Sequence, residues 1–245
     1  MSFEAENSSN FDKSCEFFEK NYTQNELYDF LKSGSDMEKQ LACLRIDTVN
    51  TSQEAEIFMS NLTGVDGKIR EAVSFKLKGF MASSDTAKLF NNKKFWDIFL
   101  DAIIDINGNI CRNIICAISN LVQDEQFSDY FRTSIITRAF VVLENIDKFT
   151  YKDKKYVTNK ELFKLYWYLE TLYIFGFTDY DKLFELLKRC SKVEEYTIRE
   201  KAAALVNKLP PNKRKILNIN SDNNIYVAKA LARKREAFAV EGFNG

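Results

Sequence analysis

The 245-residue sequence contains no histidine. That removes the commonest general acid–base, every Ser-His and Cys-His pairing and the usual zinc-ligand sets. Glycine and proline are scarce, with 8 and 2 residues. Sandwiches and barrels need many turns, and doubly wound folds need glycines at strand–helix junctions, so the scarcity favours helices joined by short Asn/Asp/Ser connections. No Rossmann, P-loop or nucleophile-elbow glycine pattern occurs. No apolar run approaches the ~18 residues of a membrane span. The start, Met1-Ser2-Phe3-Glu4-Ala5-Glu6, is acidic and lacks the apolar stretch of a secretory signal. Five scattered cysteines without a C-x-x-C pair fit a reducing compartment, most as small apolar core residues. These absences predict a soluble, cytoplasmic protein that is not an enzyme, with no cofactor, no metal and no membrane partner.

What is present points to helices. Hydrophobic residues make up 45% of the chain and charged residues 29%, which suits a packed core. Asp66-Gly67-Lys68-Ile69-Arg70-Glu71-Ala72-Val73 returns, altered, as Glu195-Tyr196-Thr197-Ile198-Arg199-Glu200-Lys201-Ala202. Apolar residues recur at helical spacing in Ile69, Val73, Leu77 and Phe80, in Ile110, Ile114, Ala117, Ile118 and Leu121, and in Ile198, Ala202, Leu205, Val206 and Leu209. Leu162, Tyr166, Leu169 and Tyr173 follow the same template; Met37, Leu41 and Leu44 follow its first half. Between these segments the pattern predicts partner helices over Gln53–Leu62, Lys93–Asp105, Gln126–Ile146 and Tyr180–Cys190. The interval is 41 residues from Ile69 to Ile110 and 36 from Leu162 to Ile198, both helix-pair lengths. The 52 residues from Ile110 to Leu162 include a charged loop over 147–157. Residues 1–9 read as a polar, flexible arm, and Pro210-Pro211 ends one helix and can start the next.

These segments resemble HEAT repeats, on Asp66, Ile69, Arg70, Val73 and Leu77 and on Ile198, Arg199, Ala202 and Leu205. The stretch Gly34 to Leu44 is similar to another variant of the second HEAT helix. The Ile110 segment departs, with Cys111 where arginine is expected. The resemblance covers roughly residues 34–235 and implies an all-α fold: a right-handed α-solenoid, HEAT-like or armadillo-like, of about five or six helix pairs. It would form a single domain over 10–245. It also implies that Arg70 and Arg199 join one repeat to the next rather than hold a ligand.

Charge is uneven. Residues 1–60 carry 12 acids and 5 bases, residues 192–245 carry 11 bases and 6 acids. The polarity can steer partners or permit head-to-tail contacts, or it can reflect solvated faces that differ. Asp97, Asp101 and Asp105 recur every four residues, an acidic ridge if one helix carries all three. Such a ridge suits a basic partner or a loose Mg²⁺ site; the plainer reading is a solvated face. Trp96, Asp101 and Trp167 invite comparison with the alkylpurine DNA glycosylases built on HEAT-like repeats, which implies a DNA-binding repair enzyme as the alternative function. The balanced charge lacks the basic footprint of a duplex-DNA binder. Lys213-Arg214-Lys215 and Arg233-Lys234-Arg235 form a basic region with few aromatics, so nucleic acid ranks below protein as the partner.

The leading expectation is a protein-interaction scaffold or adaptor that binds another protein through the concave face of the second helices. The polar positions off the apolar stripe are the candidate contacts: Glu71, Ser74, Lys78, Asn113, Asn120, Glu200 and Asn207.

Overall fold

Short polar residues set the helix starts. Thr23, Ser35 and Thr51 each accept from the backbone N–H three residues on, and Glu26, Glu38 and Glu54 at those positions bond back, forming three capping boxes. Asp66, Asn92, Asn107, Glu195 and Asn224 cap later helices with a carboxylate or amide oxygen. Pro211 occupies the first turn of its helix, where a missing N–H costs nothing.

The structure, a computed structural model, describes residues 12–148, 155–178, 180–219 and 221–233. Its helices are α1 (12–19), α2 (Gln24–Ser33), α3 (Asp36–Arg45), α4 (Ser52–Leu62), α5 (Gly67–Phe80), α6 (Ser84–Phe90), α7 (Lys93–Ala102), α8 (Gly108–Ala117), α9 (Glu125–Lys148), α10 (Lys155–Phe175), α11 (Asp181–Cys190), α12 (Tyr196–Lys208), α13 (Pro211–Leu217) and α14 (Ile225–Ala232). The fold is all-α, with no strand among the described residues. No helix among them is long and apolar enough to cross a membrane.

The chain divides into two compact units, Met1–Phe131 and Arg132–Gly245. In the first, α2 packs on α3, α4 on α5 and α7 on α8. These pairs lie side by side: α2, α4 and α7 touch in succession as one layer, and α3, α5 and α8 as the other. Phe58, Val73, Leu77, Phe99, Ile110 and Ile114 are buried in its core. The turn from α2 to α3 is tight enough that a Cβ on Gly34 would lie 2.7 Å from the Phe30 carbonyl oxygen. In the second unit α12 packs against α10, α11 and α14. There α9 meets α10 through Asn145 and Glu161, and α11 through Asp147 and Arg189.

Several boundaries differ from those read off the periodicity. Helix α7 stops at Ala102 rather than Asp105, through tight turns in which the Ile104 and Asp105 N–H groups bond back three residues. Leu121 is buried but sits in a 3₁₀ turn (Leu121–Gln123) beyond α8. Residues 147–148 and 155–157, part of the expected charged loop, are helical, which leaves 149–154 of that expectation. That segment, the arm over 1–9, Lys234 and Arg235 lie outside the described residues. Helix α6, at seven residues, is too short to leave a periodic signature.

Candidate functional site

Helices α3, α5 and α8 share one register when counted from their caps, Ser35, Asp66 and Asn107. Seven residues after each cap stand Ala42, Val73 and Ile114, and eleven after stand Ile46, Leu77 and Ile118, all 0% exposed. These point at the partner layer. Positions five, nine and twelve face the other way: Gln40, Glu71 and Arg112; Leu44, Phe75 and Cys116; Asp47, Lys78 and Ser119. Leu44 and Phe75 remain 40% and 60% exposed there. In the second unit the cap of α12, Glu195, puts Ile198, Ala202 and Val206 inward and Glu200, Ala204 and Asn207 on the half-buried side.

An arginine clamp recurs at position four. Arg70 Nε and Nη2 meet the Asp105 carboxylate at 2.7 and 3.3 Å, while Nη1 donates to the Gly64 and Val65 carbonyls, both at 2.8 Å. Arg199 repeats every contact: the same two nitrogens meet Asp222 at 2.7 and 3.3 Å, and Nη1 reaches the Val193 and Glu194 carbonyls. Hydrogen bonds from Arg199 lead the causes that hold the Asp222 carboxyl below its usual range, burial opposing them. Cys111 stands where arginine would and keeps one of these contacts, its thiol reaching the carbonyl six residues back, on Asp105, at 3.1 Å.

The candidate contacts divide on their surroundings. Ser74 is fully buried; its hydroxyl donates to the Glu71 carbonyl and accepts from Asn113 at 3.2 Å. The Glu71 carboxylate accepts from the amides of Asn107 and Asn109 at 3.1 and 3.0 Å. Asn120 caps the end of α5 through the Met81 and Ala82 carbonyls, and Asn207 caps α14 through those of Ala230, Leu231 and Arg233. Lys78 is exposed and Glu200 half-buried, and neither makes a hydrogen bond or ion pair with another described residue. So Ser74, Asn113, Asn120 and Asn207 join neighbouring helices, and of the first unit's candidates Lys78 projects furthest into solvent.

The acidic ridge is not assembled. Asp97 and Asp101 lie on α7, and Asp97 accepts from the Tyr130 hydroxyl at 3.0 Å. Asp105 lies past the helix end and turns back to Arg70, so the three carboxylates do not form one row. Trp96 is 6% exposed, its ring edge-on to Phe127 at 5.6 Å and its Nε1 donating to Asn91. Trp167 is 5% exposed between Phe163 and Tyr166. Neither indole offers a face for stacking a base.

Sequence reasoning missed a cationic–aromatic seam between α10 and α12. Lys201 pairs with Glu170 and lies 5.1 Å from the Tyr166 ring centroid; Lys208 donates to the Tyr173 carbonyl and sits 3.8 Å over that ring. Burial works to lower the Lys201 pKa, but Glu170 and Tyr166 together outweigh it and the net shift is upward. For Lys208, burial prevails and the shift is downward. The shared seven-residue spacing of Tyr166 with Tyr173 and of Lys201 with Lys208 was the available signal. A cleft of about 540 Å³ lies in the same unit, walled by Leu143, Ile146 and Leu162 and by the Arg189–Asp147 ion pair at 2.8 Å.

Comparison with models of known protein families and with curated proteins gives no match for this chain.

Proposed function

We propose that the protein is a HEAT-like α-solenoid acting as a non-catalytic scaffold, which binds another protein through the exposed face of its second helices. The observation that carries this reading is the common register of α3, α5 and α8, with equivalent positions buried at seven and eleven, exposed at twelve, and at nine exposed on α3 and α5 and half-buried on α8. Repeating units that bury one side against a partner layer and present the other as a continuous surface are built to hold an extended ligand. The recurrence of the arginine clamp supports stacked units, because Arg70 and Arg199 each tie their helix to the turn that starts a helix packed on it, α8 and α14. A cytoplasmic location belongs to the same proposal, and five cysteines with no disulfide among them fit it.

The test uses the full-length tagged chain as bait, with Lys78→Glu and Glu200→Lys as surface variants. The expected result is recovery of a specific protein that one or both variants lose while their melting temperatures hold. In parallel the chain is expected neither to shift duplex DNA nor to release alkylated bases. Salt-sensitive DNA binding, or base release abolished by Asp101→Asn, would replace the scaffold with the repair enzyme.

A further inference from the structure

We infer that Asn107–Gly108 is a site of spontaneous deamidation, whose conversion turns a hydrogen bond between α5 and α8 into a repulsion. The chain has one other Asn–Gly pair, Asn244–Gly245, which lies outside the described residues. Glycine after asparagine supplies a backbone amide unhindered by a Cβ. No left-handed conformation calls for the glycine here: it opens α8, and among the described glycines Gly176 is the one with a positive φ.

The reacting groups are set out at the helix start. Gly108 holds the first position of α8, where a backbone N–H has no partner in the helix, and it makes no hydrogen bond to another described residue. The Asn107 side-chain oxygen accepts from the Asn109 N–H at 2.9 Å, a donor placed to stabilise an oxyanion on that atom. In the reaction, solvent base removes the Gly108 amide proton and the nitrogen attacks Cγ of Asn107. An N–C bond forms, the Cγ–Nδ2 bond breaks, and ammonia leaves with a proton from water. Water then opens the cyclic imide to aspartate or isoaspartate, so the net change is water in and ammonia out. Asp66–Gly67, the equivalent pair at the start of α5, is the slower of the two, because a carboxylate that already accepts two N–H groups is a poor electrophile.

The cap sets the pace. With the Asn107 ψ at 110°, the Gly108 nitrogen points away from Cγ, so the ring closes only when the first turn of α8 opens. Glu71 opposes that opening, because its carboxylate accepts from the amides of both Asn107 and Asn109, at 3.1 and 3.0 Å. After conversion, position 107 faces Glu71 with a carboxylate, which only accepts. Nearby, Asp105 is matched by Arg70, and Arg112 reaches Asn109 at 3.2 Å. Glu71 and the new carboxylate therefore share at most one cation. Aspartate caps a helix as well as asparagine does, so its cost falls on the α5–α8 contact; isoaspartate also lengthens the backbone at the helix start. The site needs no partner protein, so it stands or falls separately from the scaffold.

The test incubates the full chain at pH 8 and follows each asparagine by peptide mass spectrometry. The amide-to-acid mass gain is expected at Asn107 before any other described asparagine, and more slowly than in the same chain held unfolded in urea. Gly108→Ala should suppress it without lowering the melting temperature. Glu71→Ala should speed it by about tenfold or more, since the first turn of α8 then opens more often. Asn107→Asp, which installs the product directly, should lower the folded-to-unfolded ratio about tenfold in urea titrations. That loss should shrink when Glu71→Gln removes the opposing charge. An Asn107 that stays amidated in the native chain while it converts in urea overturns the site. An unchanged rate in Glu71→Ala overturns the control by Glu71, and an Asn107→Asp chain as stable as wild type overturns the repulsion.

Discussion

Asp105 and Asp222 hold the same place in the chain, two residues ahead of the asparagines that cap α8 and α14. Each accepts from the N–H of its asparagine, at 2.9 and 2.8 Å, and from an arginine on a helix packed against the one it starts, Arg70 on α5 and Arg199 on α12. One carboxylate thus orders a helix start and joins two helices. Both clamps are largely shielded, with side chains 15% and 10% exposed in the first and 18% and 14% in the second.

Truncating either arginine should therefore be costly. Arg70→Ala or Arg199→Ala strands a shielded carboxylate and two carbonyls, which is expected to cost about 2–4 kcal/mol. At roughly 2–4 °C per kcal/mol for a chain of this size, the melting temperature should fall by about 5–15 °C. Lysine should rescue little, because one ammonium cannot span a carboxylate and two carbonyls in the planar geometry of guanidinium. Calorimetry on the alanine and lysine variants checks both points; an unchanged melt for Arg199→Ala would remove the clamp's structural role.

The Arg199 contribution should also depend on pH. A folded carboxyl held below its unfolded value stabilises the protein above the unfolded pKa, about 3.9 for aspartate. That contribution is lost as pH falls through the depressed folded value. The stability gap between wild type and Arg199→Ala, measured by urea unfolding, should be full at pH 6 and shrink below about pH 4. A gap that widens on acidification would contradict the assignment.

How much of this was legible in the sequence depends on the range of each interaction. The stripes at Ile69, Val73 and Leu77 and at Ile198, Ala202 and Leu205 follow from helical period alone. The arginine role came from the resemblance to HEAT repeats that Ile-Arg-Glu behind an acid carries, which implies a joining arginine. That acid, however, caps its own helix: Asp66 bonds the Lys68 and Ile69 N–H groups, and the clamp's carboxylate comes from Asp105. Periodicity carried α7 on to Asp105 because four-residue spacing persists past the point where Arg70 draws the chain away. The polar candidates Ser74, Asn113 and Asn120 lie off the apolar stripe, yet they face the neighbouring helix, a direction that appears only once the helices are set side by side. The Lys201–Tyr166 and Lys208–Tyr173 pairs needed the same knowledge.

The cysteines should separate cleanly by reactivity. Cys43, Cys111 and Cys190 are fully buried, and desolvation pushes each thiol up to about 12. At pH 8 these thiols stay protonated and therefore unreactive, since the thiolate is the nucleophile. Iodoacetamide on the native protein should label exposed Cys15 first and half-buried Cys116 more slowly. The other three should react only after unfolding. Mass spectrometry of a labelling time course decides it, and early modification of Cys111 would show that its contact with the Asp105 carbonyl opens in the native state.

Asn120 and Asn207 offer the sharpest contrast between two nearly isosteric side chains. Each turns its amide nitrogen towards carbonyl oxygens at the end of a neighbouring helix, those of Met81 and Ala82 for Asn120 and of Ala230, Leu231 and Arg233 for Asn207. Alanine removes the donor and leaves carbonyls that water can partly reach, so Asn120→Ala should cost about 1–2 kcal/mol. Aspartate keeps the volume but brings a carboxylate, which only accepts, against oxygens at the negative end of a helix dipole. Asn120→Asp should therefore be less stable than Asn120→Ala at pH 7, and should recover as pH falls and the carboxyl gains a proton it can donate. Parallel denaturant curves at pH 7 and pH 4 test the order. An aspartate variant as stable as the alanine one at pH 7 would mean that the amide does not face those carbonyls in solution.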